Sequence, residues 1–142
     1  MSFQIAVDIG RPPAEVFAFL ADFRNMPRWY DAVERVTTRP DGPGFRMVRS
    51  LPGGPARNDV ETTAYRPNEE VTFTSVNGPT PFRYRYRVEP VPDGARLTLD
   101  GEISGDGLPG PAARLGGFAE RLFRQGMMRN LQALKQILER PA

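Results

Sequence analysis

Hydrophobic positions recur along the chain with two periods, and the boundary between them divides it. Phe3, Ile5, Val7 and Ile9 alternate with Gln4, Ala6 and Asp8, which predicts a strand with one buried face. Gly10-Arg11-Pro12-Pro13 interrupts that pattern, and proline at the start of a helix predicts one from Ala14 to about Phe23, with Val16, Phe19, Leu20 and Phe23 inward. A second short helical piece follows Asn25-Met26-Pro27 and carries Arg28 to Ala32. From Val33 to Ser104 the texture is β: Val33 to Arg39, Phe45 to Leu51, Arg57 to Tyr65, Val71 to Val76, Phe82 to Val91 and Arg96 to Ser104, each ended by Gly, Pro, Asn or Asp. These gaps have no room for crossover helices, so the strands form an antiparallel meander.

The helical period returns in the last third, Gly110 to Glu139. Leu115, Phe118, Leu122, Phe123, Met127, Leu131, Leu134, Ile137 and Leu138 fall on one arc, and Arg114, Arg121, Arg124, Arg129, Gln132 and Lys135 on the other. A helix so lopsided needs a large apolar partner, and the sheet is the only candidate. Gly126 and Asn130, at i and i+4, interrupt the apolar arc. That pair either packs closely on a strand or leaves space beside a polar handle for a ligand.

In Phe82 to Glu89 aromatic residues and arginines alternate strictly. The pleat puts them on opposite faces, whereas single-stranded nucleic acid needs both on one. Pro92 cannot take the positive φ of a primed two-residue hairpin turn. A loop over Pro92 to Ala95 therefore sets Arg87 against Asp100, Arg85 against Glu102 and Tyr86 against Gly101.

Composition removes several chemistries. The 142 residues contain no histidine and no cysteine, which excludes a Ser-His-Asp triad, a thiolate nucleophile and an ordinary zinc site. The net charge is only +2, with 17 acids scattered among 19 bases, which argues against a nucleic-acid partner. No apolar run approaches a membrane span, the first residues lack a signal-peptide pattern, and the expected location is cytoplasmic. The glycine-rich stretches Pro40 to Gly44 and Pro52 to Pro55 lack the context of a phosphate loop and read as hairpin turns. The apolar face of the C-terminal helix is already required by the sheet, which argues against association with a membrane surface.

The stretch Arg11-Pro12-Pro13-Ala14-Glu15-Val16-Phe17-Ala18-Phe19-Leu20-Ala21-Asp22, followed by Met26-Pro27-Arg28-Trp29 and Val33, resembles the opening of the START-like (SRPBCC) superfamily. Within it the chain looks most like the polyketide cyclase/dehydrase and lipid-transport type. Glu61 to Pro67, Val71-Thr72-Phe73 and the closing Asn130-Leu131, Leu134-Lys135 and Leu138-Glu139 extend the resemblance over the whole chain. It implies an α+β helix-grip domain over residues 1–142, with a seven-stranded antiparallel sheet wrapped around a long C-terminal helix and two short helices after the first strand. It also implies an apolar cavity between sheet and helix, no cofactor and no metal. The expected partner is a small hydrophobic molecule such as a lipid, polyketide or aromatic metabolite, bound by a monomer or homodimer.

The candidate lining is Trp29, Tyr65, Phe73, Phe82, Tyr84, Tyr86, Phe118, Leu122, Gly126, Met127 and Asn130. If Tyr65 faces inward, as the resemblance suggests, Glu61 shares its face by period two. A carboxylate there would have its pKa raised by desolvation and could serve as the acid or base of a cyclase, aromatase or dehydratase. The rival reading pairs Glu61 with an arginine such as Arg49. The face occupied by Arg49 stays open, and so does the choice between carrier and enzyme.

Overall fold

Each turn signal in the middle of the chain reverses it, and the product is a single antiparallel meander. The computed structural model describes residues 2–40, 42–51, 54–104 and 117–140. Its elements are β1 (Ser2–Ile9), α1 (Pro13–Ala21), a 3-10 turn (Phe23–Asn25), α2 (Met26–Trp29), β2 (Val33–Thr38), β3 (Phe45–Leu51), β4 (Gly54–Arg66), β5 (Glu70–Asn77), β6 (Phe82–Val91), β7 (Gly94–Ile103) and α3 (Gly117–Glu139). The strands form one seven-stranded sheet in the order β1-β7-β6-β5-β4-β3-β2, antiparallel at every pairing. This is the expected helix-grip architecture. Residues 105–116, which include the expected start of the long helix, lie outside the described residues.

One face of the sheet carries the core. Ile5, Val7 and Ile9 from β1, Phe45 and Met47 from β3, Val60 from β4, Val71 and Phe73 from β5, Tyr84 and Tyr86 from β6, and Leu97 and Leu99 from β7 are all buried in it. Helix α3 contributes Met127, Leu131 and Leu134, each stabilising the fold by about 1.5–3 kcal/mol through burial. Its C-terminal end is fastened to the loop after β1. Arg11 Nε donates to the Leu138 carbonyl at 2.7 Å and Arg11 Nη2 to the Arg140 carbonyl at 3.1 Å, occupying acceptors that a helix end leaves unpaired. Glu139 Oε2 accepts from Gly10 N at 2.7 Å, and Lys135 Nζ donates to the Asp8 carbonyl at 2.6 Å.

The β6–β7 hairpin departs from the expected register. Val91 pairs with Gly94, so the loop is only Pro92-Asp93. Neither loop residue has positive φ; Gly94, at φ 156°, absorbs the irregular geometry in a conformation open to glycine. The shorter loop slides the pairing by two residues. Tyr84, not Tyr86, lies opposite Gly101, Arg85 lies opposite Asp100, and Arg83 lies opposite Glu102. Arg87 still reaches Asp100 diagonally, at 2.8 Å, while Arg85 bonds Glu70 at 2.6 Å. The room above Gly101 is filled by the Phe3 ring.

A second departure moves Glu61. The register of β4 against β5 slips between Thr62 and Ala64, so that Thr62 faces Phe73 and Tyr65 faces Val71. Residues directly opposite share a face, and the extra residue inverts the parity that connects Tyr65 to Glu61. Tyr65 is on the core side, yet at the end of the sheet it is 56% exposed, with its ring edge against Phe17 at 5.4 Å. Glu61 is on the outer face, where its Oε1 accepts from Arg39 Nη1 at 3.3 Å. Its arginine partner is Arg39 rather than Arg49.

Gly126 is half-buried, and among the described residues a Cβ built there would meet only Arg129 Nη2, at 3.8 Å. It is therefore not a close-packing contact with a strand. Gly126→Ala is expected to stabilise the protein by about 0.5–1 kcal/mol, because the helix loses the entropy cost of glycine without a clash. Urea denaturation should show a higher midpoint with an unchanged slope.

Candidate functional site

Strand β3 places Arg49 among apolar side chains. Phe45 and Met47 are buried, and period two continues onto Arg49, which is 2% exposed. Its guanidinium lies over the Phe82 ring, 5.2 Å from the centroid. Nε and Nη2 both donate to Asn58 Oδ1, at 3.0 and 2.8 Å, and Nη2 also reaches the Pro79 carbonyl at 2.9 Å and Thr80 Oγ1. Among the described residues Nη1 has no hydrogen-bond partner, and no carboxylate pairs with this arginine. Burial pulls its pKa down, and the nearby Tyr84 and Tyr30 oppose that.

The surroundings are built to hold this arginine. Asn58 Nδ2 donates to the carbonyls of Asn77 and Pro79, at 3.1 and 2.8 Å, fixing the amide so that its oxygen faces the guanidinium. Gly78, at φ 97°, lets the β5–β6 turn lie against Asn58, since a side chain there would strike both Arg57's carbonyl and the Asn58 amide. Thr80 sits at φ 51°, an uncommon conformation for a β-branched residue, and is held there by the arginine.

Beside Arg49 three tyrosines and a tryptophan converge. The hydroxyls of Tyr30 and Tyr84 are 3.3 Å apart in the buried core. Tyr84 stacks on Phe82 with centroids 4.6 Å apart, and Trp29 meets Tyr86 edge to face at 6.0 Å. Among the described residues Tyr86 Oη and Trp29 Nε1, both buried, have no hydrogen-bond partner. Burial pushes the Tyr84 and Tyr86 phenols well above their ordinary value; it also raises Tyr30, with the Tyr84 hydroxyl and the Arg49 charge countering it. All three are neutral donors at physiological pH. From α3, Asn130 Oδ1 accepts from Asp31 N at 3.1 Å, tying the helix to the turn after α2, and its Nδ2 lies 3.6 Å from Met127 Sδ.

The structure thus brings together Trp29, Phe73, Phe82, Tyr84, Tyr86, Met127 and Asn130 on the core side. Tyr65 stands at its rim, Gly126 is half-buried on α3, and Glu61 is on the opposite face. The side chains of Phe118 and Leu122 lie outside the described residues. Tyr30, Asn58 and Thr80 were not anticipated. Asn58 could have been found by counting two residues back from Val60, and Arg49 by counting two on from Met47; Tyr30 is one residue past a four-residue helix, where no periodicity operates.

On the outer face Asp59 is a buried acid with its pKa lowered. Hydrogen bonds from Arg46 and Asn77 hold its carboxyl at about 2, below the usual 3.8. A lowered folded-state pKa stabilises the protein above the unfolded value and loses that contribution as pH falls through the folded one. Asp59→Asn is expected to cost about 1–2 kcal/mol at pH 7, with the deficit closing between about pH 4 and pH 2. Denaturation midpoints of both proteins across that range check the sign. Among the described residues no three carboxylates group as metal ligands. No described helix is long and apolar enough to cross a membrane.

Comparison with known proteins agrees with this architecture. Residues 1–139 match the family profile described as polyketide cyclase/dehydrase and lipid transport. A START superfamily protein from Mycobacterium smegmatis superposes with a TM-score of 0.78 at 17% identity, over 97% of each chain. A protein from Thermus thermophilus gives 0.77 at 16% identity, again over 97% of both. The di-domain ARO/CYC StfQ from the steffimycin biosynthetic pathway gives 0.70 at 16% identity, over 97% of this chain and 50% of that one. No curated protein matches in sequence.

Proposed function

Because the chain belongs to the polyketide cyclase/dehydrase and lipid transport family, we propose that it binds a small hydrophobic molecule between the core face of the sheet and α3. The observation that carries this reading is the pair of buried, unpartnered donors, Tyr86 Oη and Trp29 Nε1, set in an aromatic wall. A buried polar group without a partner costs about 1–3 kcal/mol, and a ligand offering acceptors removes that cost. Aromatic surface with a few convergent polar atoms is the usual make-up of a small-molecule site. Phe73, Phe82 and Met127 would supply apolar contact, and Asn130 and Gly126 the helix side of the wall. Native mass spectrometry of protein purified without organic extraction tests this: a mass excess released by denaturation is expected. Apo protein only, together with no saturable uptake of the neutral probe N-phenyl-1-naphthylamine, would count against it.

A catalytic reading has one observation in its favour, the Tyr30–Tyr84 hydroxyl pair beside Arg49. With both phenols protonated the pair can donate to a developing enolate oxygen, as the cyclisation of a polyketide-like chain would require, but it cannot act as a base. The cyclase named StfQ lends this reading an analogy of fold. Glu61, ion-paired on the outer face, does not serve it. Tyr84→Phe should slow conversion of a poly-β-keto thioester mimic at least tenfold if the pair is catalytic; an unchanged rate, or none in the wild type, removes the reading.

A further inference from the structure

The uncommitted polar atoms of this site share one property: they donate. Among the described residues Trp29 Nε1 and the Tyr86 hydroxyl are buried without a partner, and Arg49 directs only Nε and Nη2 into hydrogen bonds; Arg49 Nη1 and Trp29 Nε1 have no lone pair to offer, and the protonated Tyr86 hydroxyl lacks an acceptor. Arg49 also brings a full positive charge, held 2% exposed, against which the described residues set no carboxylate. The neighbouring ion pairs sharpen the contrast. On the outer face Arg39, Arg46, Arg85, Arg87 and Arg96 each meet an acid across the sheet. The arginine turned inward is held by neutral oxygens alone, those of Asn58, Pro79 and Thr80. Removing a charge from water without a counter-charge is expensive, and an anion seated beside it offsets much of that cost.

We propose that the bound molecule is an anion, an apolar body carrying one carboxylate, with the carboxylate seated among Arg49 Nη1, the Tyr30–Tyr84 hydroxyls and the Tyr86 hydroxyl and the body lying along Phe82 and Phe73. This rests on the hydrophobic-ligand reading above and narrows its ligand class. The arrangement offers donors to both carboxylate oxygens, while Asn58 and Thr80 occupy Nε and Nη2 and leave Nη1 to the ligand. Burial makes the interaction stronger than the same pair would be at the surface.

The test compares cis-parinaric acid with its methyl ester, fluorescent probes that share one apolar chain, by titration at pH 8. The wild type is expected to bind the acid at least tenfold more tightly. Arg49→Gln is expected to bring the two affinities within about twofold, mainly by weakening the acid. Should Arg49→Gln fail to fold, the wild-type comparison decides alone, and Arg49→Lys, which keeps the charge, is expected to retain a preference for the acid. Equal affinity for acid and ester in the wild type overturns the anionic ligand while leaving hydrophobic binding in place. A preference for the acid that survives in folded Arg49→Gln overturns the role of Arg49. Binding of neither probe overturns both this inference and the reading it rests on.

Discussion

Leu131→Ala is expected to lower the unfolding free energy by about 2–5 kcal/mol. Leu131 is fully buried and stands between Met127 and Leu134 on the face that meets the sheet. The cost has two parts, the lost transfer free energy of the side chain and the cavity left in a wall that can only partly collapse. Gln132, the next residue along, is exposed, and its replacement by alanine should leave stability within about 0.5 kcal/mol of wild type. Urea titrations of the two variants separate a gripped helix from one that merely lies against the surface. Near-equal midpoints would mean that α3 is not the second half of the core.

Tyr86→Phe is expected to act in opposite directions on folding and on binding. The hydroxyl is buried with no partner among the described residues, and burial holds its pKa well above the ordinary phenol value, so it remains a desolvated donor. Deleting it should raise the stability of the ligand-free protein by about 1 kcal/mol or more, since the ring and its contacts with Trp29 and Phe73 are kept. In the proposed site the same hydroxyl serves the ligand, so affinity for an acceptor-bearing ligand should fall by about five- to tenfold. Thermal melts with and without ligand measure both. A variant that is less stable when ligand-free would show that the hydroxyl already satisfies itself inside the protein.

The elements were legible because the two periods rarely compete. Phe3 to Ile9 and Phe82 to Glu89 alternate without exception, and the α3 arc from Met127 to Leu138 predicted its buried face. What escaped was register, which a single residue decides. One slip between Thr62 and Ala64 reversed the face of Glu61, and one short turn at Pro92-Asp93 moved Gly101 from Tyr86 to Tyr84. Period two counts residues and cannot see an insertion in only one of two paired strands.

The candidate site was legible in its aromatic half only. Trp29, Phe73, Phe82, Tyr84 and Tyr86 announced themselves by size and parity. The polar half depends on contacts between distant segments: Arg49 with Thr80 across 31 positions, and Tyr30 with Tyr84 across 54. An arginine in a strand whose alternation also includes Val48 reads equally well as outward, and only its neighbours in space reveal that it is buried without an acid. Asn130 fell between these cases, since the helical arc placed it inward but could not show that it holds the turn at Asp31.

The chain's one tryptophan lies in the proposed wall, which makes the central claim directly measurable. Trp29 is 2% exposed and in ring contact with Tyr30 and Tyr86, so its emission reports the space that a ligand would enter. Titration with the neutral, apolar acceptor N-phenyl-1-naphthylamine should transfer energy from Trp29 in a saturable manner, with one probe per chain. Transfer that never saturates, or Trp29 emission indifferent to the probe, would contradict a ligand held between sheet and helix.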